Sequence, residues 1–403
     1  MSFITRENTM TSYSIAKNSY QVELYDTIDK AAEKWAQIEP TDNAFLQIPY
    51  FRFLEHSPPT GLRSKYLVFT DKDKVVGLAY CQLVQLKVGD ALTDKDIPAY
   101  QQKINNLILK MANMNAIISG NLLLTGDHGS HFSSTISISL RHQLLQEGLD
   151  ILKANLKKQK HPISLQIIKD IEESKKEGLH SVLGNSYNEF TLQPNMVLEI
   201  PDNWETFDDY LQALTSKSRV RAKRAFKKGK AISKKEFTID LMKAFLPQID
   251  SLYKAIAENA GFNVVNLSGE YFLSFKEHFP DKFRVFGYFV EDELIAFYTT
   301  FQNHHELEAH FLGFDTVNNR KYQAYLNILF DIIRVGITTK SKQINFARTA
   351  LEIKSSVGAK PVPLYFFGKH TNAMKNQIFS PVLSYFQPKV DWKPRNPFKK
   401  VVE

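Results

Sequence analysis

Apolar and polar positions follow the same order in two widely separated stretches of the chain. In the first, Tyr66–Thr70 reads as a strand, the charged turn Asp71-Lys72-Asp73-Lys74 interrupts it, and Val75–Leu86 resumes the β pattern. In the second, Arg284–Val290, the turn Glu291-Asp292-Glu293 and Leu294–Phe301 repeat that arrangement. Two β-rich runs joined by a short charged turn predict a hairpin. The parallel continues downstream. The first half is expected to add strand Asn121–Thr125, the glycine turn Gly126–Ser130, helix Leu140–Lys157, strand Ile163–Ile168, short helix Ile171–Leu179 and strand Asn188–Leu192. The second is expected to add strand Glu306–Gly313, loop Asp315–Tyr322, amphipathic helix Ala324–Gly336, strand Gln343–Ala347, short helix Ala350–Ser356 and strand Pro361–Phe367. Each half reads β-β-β-α-β-α-β, which predicts an α/β protein built from one mixed-sheet unit used twice.

A chain of 403 residues exceeds one ordinary core. The expected division is a disordered leader (1–19), a first unit (20–200), a basic helical linker (201–235), a second unit (236–385) and a C-terminal tail (386–403). Within the linker, Trp204–Leu214 has helical periodicity, and basic residues crowd Ser218–Lys230. Leu246–Ala260 reads as an amphipathic helix opening the second unit. Residues 1–20 lack an apolar signal core, and no run approaches the roughly 18 apolar residues of a membrane span. The single cysteine, Cys81, lies in an apolar strand and reads as a small core residue. These features point to a cytoplasmic protein. A net charge of +8 favours an anionic partner: a phosphate-bearing cofactor, RNA or anionic lipid. No cluster of Cys and His has ligand spacing, so no metal is expected.

Candidate chemistry concentrates in the second half. Phe346–Ala359 places Arg348, Glu352 and Lys354 just beyond the carboxyl end of a strand, where open α/β sheets hold ligands. Arg348 suits a substrate carboxylate or phosphate, or else a buried ion pair. Thr349 and Glu352 also fit a capping box, and Lys354 fits either substrate contact or a solvated helix face. Asn319, Arg320 and Lys321 precede helix Ala324–Gly336, whose N-terminus favours phosphate; the alternative is ordinary surface charge. Gly126–Ser130 holds the same place in the first half, as an anion nest or a plain turn. Strict alternation puts Glu306, Glu308 and His310 on one face of their strand. Either Glu308 or His310 suits a general base, and the imidazole needs the least tuning. The basic helix is open to three readings: RNA phosphates, an anionic membrane surface, or solvent alone.

The order of elements in the second half, the run Arg348–Ala359 and the basic stretch Lys217–Lys230 resemble the GNAT superfamily of N-acyltransferases. The resemblance is nearest to its tandem members, the FemAB-like proteins and the acetyltransferase 6 group. It implies two tandem GNAT-like domains, with an acyl donor lying where two neighbouring strands splay apart. It implies that Thr316–Tyr322, with Asn319, Arg320 and Lys321, stands at the donor's phosphates, although the glycines common in that loop are missing here. It also implies a tyrosine on the next helix, Tyr325, as the acid that protonates a leaving thiolate. The expected reaction is transfer from acyl-CoA or an acyl-carrier protein to an amine, such as a cell-wall precursor, an aminolipid headgroup or a small amine. The alternatives are an aminoacyl-tRNA donor, as in FemAB-like peptidoglycan enzymes, and a non-catalytic binding module.

Overall fold

The structure is a computed structural model that describes residues 11–16, 19–87, 113–257, 265–377 and 392–399. The first half runs β1 (Thr11–Ile15), β2 (Tyr20–Tyr25), α1 (Ile28–Trp35), α2 (Ile48–His56), β3 (Arg63–Asp71), β4 (Lys74–Lys87), β5 (Asn113–Ser119), β6 (Ser130–Phe132), α3 (Ile138–Lys158), β7 (Leu165–Ile171), α4 (Glu173–Leu183), β8 (Asn188–Thr191) and β9 (Asn195–Glu199). The second runs α5 (Phe207–Ala213), α6 (Ser216–Lys228), β10 (Ser233–Glu236), α7 (Ile239–Ala244), α8 (Leu246–Ala257), α9 (Gly269–His278), β11 (Phe283–Val290), β12 (Glu293–Asn303), β13 (Glu306–Phe314), α10 (Thr316–Tyr322), α11 (Ala324–Thr338), β14 (Gln343–Asn345), α12 (Leu351–Ser355), β15 (Lys360–Val362), β16 (Tyr365–His370) and α13 (Ala373–Gln377).

Both expected hairpins form. Lys72 (φ 53°) and Glu291 (φ 55°) take the left-handed turn conformation between β3 and β4 and between β11 and β12. Each sheet then carries one parallel pair, β5 with β7 and β13 with β14, with a long helix between the two strands. Those helices, α3 and α11, pack close to their sheets through a glycine. A Cβ at Gly148 would fall 2.9 Å from Phe69, and one at Gly336 would fall 2.7 Å from Ile344. The repeated α/β plan is therefore present, as two mixed sheets.

The two sheets are not self-contained. The first has the order β1-β2-β3-β4-β5-β7-β16-β8, with β6 on β4; the second has β10-β11-β12-β13-β14-β9-β15. Strand β16, from the end of the chain, pairs with β7 and β8 of the first sheet. Strand β9, from the first half, pairs with β14 of the second. The single strand expected at Pro361–Phe367 is thus two short strands, β15 and β16, in different sheets. The remaining differences are local. The strand expected at Asn121–Thr125 lies earlier, at β5, and residues 120–129 form turns instead. The loop expected at Asp315–Tyr322 is the helix α10, capped by the Asp315 carboxylate on the Asn318 N–H (2.7 Å). Of the leader expected to be disordered, Thr11–Ile15 instead form β1, paired with β2 at the edge of the first sheet, and most of the rest lies outside the described residues. The C-terminal segment 392–399 is extended and pairs Phe398 with Leu214.

A hydrophobic core spans the halves. Helices α1 and α2 of the first pack on α7 to α9 and the inner face of the second sheet. Phe53 stacks on Phe275 at 4.4 Å, and Phe45 meets Phe301 at 4.9 Å. Burial on this scale is the main force holding the halves together. Cys81 is fully buried beneath α3, and burial pushes its thiol pKa up, in keeping with a packing role. Among the described residues no helix is long and apolar enough to cross a membrane.

Candidate active site

Strand β13 is the centre of the site. Its register with β14 runs Glu306–Gln343, Leu307–Ile344 and Glu308–Asn345, and there the pairing ends. Beyond Glu308 the two strands diverge. Pairing with β12 skips one residue, from Thr300–Ala309 to Tyr298–Leu312, so His310 and Phe311 together oppose Thr299. This is a β-bulge, held by the Thr299 hydroxyl, whose Oγ1 accepts from the Phe311 N–H at 3.0 Å and donates to the Phe311 carbonyl at 2.9 Å. The bulge breaks the alternation read from sequence. Phe311 joins His310 on the face toward the shared core, whereas Leu307, Ala309 and Leu312 pack toward α11.

Glu308 sits at the fork. It is 5% exposed, and its Oε1 has no hydrogen-bond partner. Burial, reinforced by the Glu306 carboxylate, raises its carboxyl well above the ordinary 4.5; only the Asn345 side chain opposes this. His310 shares the face but not the chemistry. Its Nε2 lies 3.0 Å from the Tyr271 hydroxyl, inside rings from Tyr271, Phe275, Phe283 and Phe311. Burial lowers its pKa to about 3. An imidazole held neutral to that value is a poor proton acceptor at neutral pH.

The other candidates are engaged elsewhere. Asn319 caps α11, its Oδ1 accepting from the Tyr325 N–H at 2.9 Å. Tyr325 packs on Phe314, and burial raises its hydroxyl pKa, which keeps it protonated. Arg320 and Lys321 are exposed at the end of α10, with Lys321 Nζ 4.9 Å from its neighbour's ring, Tyr322. Arg348 reaches into the first half. It pairs with Asp170, its Nε donates to the Gln193 carbonyl (3.0 Å), and its Nη1 lies 3.3 Å from Thr125 Oγ1. Glu352 makes no cap; α12 starts without a side-chain cap, and Glu352 pairs with Arg395.

Lys354 is buried rather than solvated. Its Nζ donates to the carbonyls of Arg348 (2.5 Å) and Ala347 (3.2 Å). It thereby ties down a segment with three non-glycine residues in the left-handed region: Ala347 (φ 56°), Thr349 (φ 67°) and Ala350 (φ 48°). A β-branched residue at such a φ is strained, and strain of this kind gathers at functional sites. Lys354→Met should lower stability by about 1–3 kcal/mol in urea unfolding, because the Arg348 carbonyl loses its donor. Burial also pulls the Lys354 ammonium down to about 7 from 10.5. Between those values the unfolded chain holds a proton that the fold has released. The parent should therefore gain stability on the variant as pH rises through that range.

The first sheet's equivalent fork is closed. Lys169 lies across it, with its Cγ only 2.4 Å from where a Cβ on Gly120 would stand, and its Nζ donates to the Leu124 carbonyl (2.9 Å) and to Asp170. The turn Gly126–Ser130 is also used up. The Gly126 N–H donates to Asp170 (3.1 Å), Asp127 pairs with Lys175 (2.8 Å), and His128 is buried against Asn43, its pKa lowered by burial to about 4. Among the described residues no group of His, Cys, Asp and Glu is placed to hold a metal.

Sequence reasoning missed Lys169, Asp170 and Asn345. Asp170 fell between the expected strand Ile163–Ile168 and the expected helix Ile171–Leu179, whereas it lies within β7, and its left-handed φ of 61° is not a sequence signal.

No protein-family model matches the chain, and no curated protein matches it. Solved structures do. The crystal structure of FemX aligns over 89% of this chain and 100% of its own, with a TM-score of 0.53 at 11% identity. A tandem GNAT protein from the clavulanic acid biosynthesis pathway aligns over 87% of this chain and 99% of its own, with a TM-score of 0.52 at 9% identity. The likeness takes in both sheets, and the chain has a tandem GNAT fold.

Proposed function

We propose that the protein is an N-acyltransferase whose reaction takes place at the fork between β13 and β14, with Glu308 as the general base. The observation that carries this reading is the buried carboxyl of Glu308, whose Oε1 has no partner, where a parallel pair diverges beside a β-bulge. A buried carboxyl with an unsatisfied oxygen costs stability and is retained where it has a task, and a raised pKa brings a carboxylate toward the range of an effective base. The amine of the acceptor attacks the donor carbonyl carbon. A C–N bond forms, the donor's C–S bond breaks, and the amine's proton passes to Glu308 directly or across one water. Tyr325, protonated and on the first turn of α11, is the acid proposed for the departing thiolate.

Arg320 and Lys321 are the cations left for a donor's phosphates. Arg348 and Lys354 hold the frame of the site, and Glu352 lies outside it. The donor in this reading is acyl-CoA or an acyl-carrier protein. The acceptor is an amine, with cell-wall and aminolipid precursors as the leading classes. The closed fork of the first sheet supports placing the chemistry in the second.

An aminoacyl-tRNA donor is favoured by one observation. Lys223, Arg224, Lys227 and Lys228 of α6 are exposed, α10 with Arg320 and Lys321 packs beside them, and among the described residues none of the six forms an ion pair. Such a surface suits a polyanion, whether tRNA or an anionic membrane. A thermal-shift titration with acetyl-CoA, long-chain acyl-CoA and charged tRNA separates the donors. The expected result is a rise of several degrees with one acyl-CoA that is lost in Arg320→Ala. A rise with charged tRNA alone moves the donor to tRNA, and no response to any of them removes the acyl-CoA reading.

A further inference from the structure

Away from the fork, a cavity of about 430 Å³ opens between α6, α12 and the extended segment 392–395. It falls within the size range of small-molecule sites. Arg221, Glu352, Arg395 and Trp392 line it, with Leu351 and Ile353 on the apolar side.

Its charges do not balance. Glu352 pairs with Arg395, and among the described residues no carboxylate lies within ion-pair distance of Arg221. Burial and the Arg395 guanidinium both disfavour the charged form of Arg221, and Glu352 only partly compensates. Two guanidiniums thus face one carboxylate, leaving one positive charge in a partly enclosed space.

The two arginines are also fixed independently. Arg221 is set by α6, which buries Ala222 and Ala225 against the second core. Arg395 is set by its own backbone, whose N–H donates to Ser355 Oγ at 3.1 Å. The segment beyond it is held by the Thr215 N–H on the Pro397 carbonyl (2.8 Å) and the Lys399 N–H on the Ala213 carbonyl (3.0 Å). Phe398 closes over Gly358, where a Cβ would come within 2.4 Å of its ring. The backbones that carry the two guanidiniums are thus both held by packed structure.

We infer that this cavity is a binding site for a small oxyanion, carboxylate or phosphate, whose attached planar or apolar group lies along Trp392. An anion between Arg221 and Arg395 takes charge-assisted hydrogen bonds from both forks and relieves the repulsion between them. The indole and the two aliphatic side chains receive the uncharged part. The inference does not depend on the acyltransfer reading.

Phenyl phosphate, benzoate, inorganic phosphate and benzyl alcohol are the probes, followed by Trp fluorescence and by calorimetry on the full chain. Phenyl phosphate or benzoate should bind and change the emission, and the tighter of the two identifies the class of oxyanion. Benzyl alcohol should bind at least tenfold more weakly. Arg221→Gln should weaken binding about tenfold, the value of one lost charge-assisted contact, and leave the melting temperature of the free protein no lower. Trp392→Phe should abolish the fluorescence change while calorimetric binding remains. Failure of both aromatic anions to bind at millimolar concentration, or full affinity in Arg221→Gln, overturns the site.

Discussion

Asp170→Asn should lower the stability of the protein by about 3–5 kcal/mol at pH 7, read by urea unfolding. Asp170 is fully buried between two cations, Lys169 of its own strand and Arg348 of the second half. It also accepts from the Gly126 N–H at 3.1 Å. Burial alone would raise its carboxyl, but Lys169 and Arg348 hold it below the ordinary 3.8. Asparagine keeps the shape and tolerates the left-handed φ of 61° nearly as well as aspartate, so the substitution removes charge and little else. One ammonium and one guanidinium are then left in the interior without the carboxylate they share. The effect should be constant across neutral pH. A depressed folded pKa means the contribution is complete above the unfolded value and is lost as pH falls through the folded one. Combining Asp170→Asn with Arg348→Met should recover part of the loss, since one of the two cations left without their shared carboxylate is then removed as well. A change within about 0.5 kcal/mol for Asp170→Asn would mean that the shared aromatic core alone joins the halves at this point.

That joint also marks where the sequence stopped being readable. The hairpins were legible because charged turns interrupt runs such as Val75–Leu86 and Leu294–Phe301, and α11 because Leu326, Ile328, Leu329, Phe330, Ile332 and Ile333 fill one long apolar stretch. Local pattern records which residues face a core, not which strand lies alongside. The exchange of β9 and β16 between the sheets therefore left no trace in periodicity. Strand β5 was misplaced because Asn113 and Asn115 interrupt its apolar pattern at the start, whereas the apolar run Leu122–Leu124 belongs to a turn that packs into the core shared by the halves. The bulge at His310–Phe311 escaped for a related reason: alternation assumes a regular strand, and one extra residue puts His310 and Phe311 on the same face. Arg348 was read either as a contact to a substrate anion or as half of a buried ion pair, and it forms an ion pair with Asp170. Its anion, Asp170, stands 178 positions away, a separation across which no local rule operates. At the fork itself Glu308 was legible as one of two base candidates. The rings that enclose His310, on which the proposed preference for Glu308 turns, were not legible.

Glu308→Gln should lower turnover with the responsive acyl donor by about 10²–10⁴-fold while the folded protein becomes no less stable. The two halves of this expectation have one cause. Glu308 is buried, its Oε1 is unpartnered, and its folded pKa is raised well above 4.5. Above the unfolded value the folded chain therefore binds a proton that the unfolded chain has lost. Stability contributed at this position falls as pH rises from about 4.5 toward the folded pKa. A neutral amide of the same shape escapes that penalty, so the variant should match or exceed the parent in melting temperature, and by more at pH 8 than at pH 5. Turnover runs the opposite way, because a base must be unprotonated to act: parental kcat should rise with pH through the raised pKa, and the variant should lose that limb of the profile. His310→Gln supplies the control. It removes a neutral ring that packs among Tyr271, Phe275 and Phe283, so its chief effect should be on stability, with the pH limb of kcat retained. A variant at Glu308 that keeps the parental pH profile would remove the carboxyl from the chemistry. A buried acid with an unsatisfied oxygen would then be a defect with no compensating function, which selection for stability ought to have replaced by an amide or an apolar side chain.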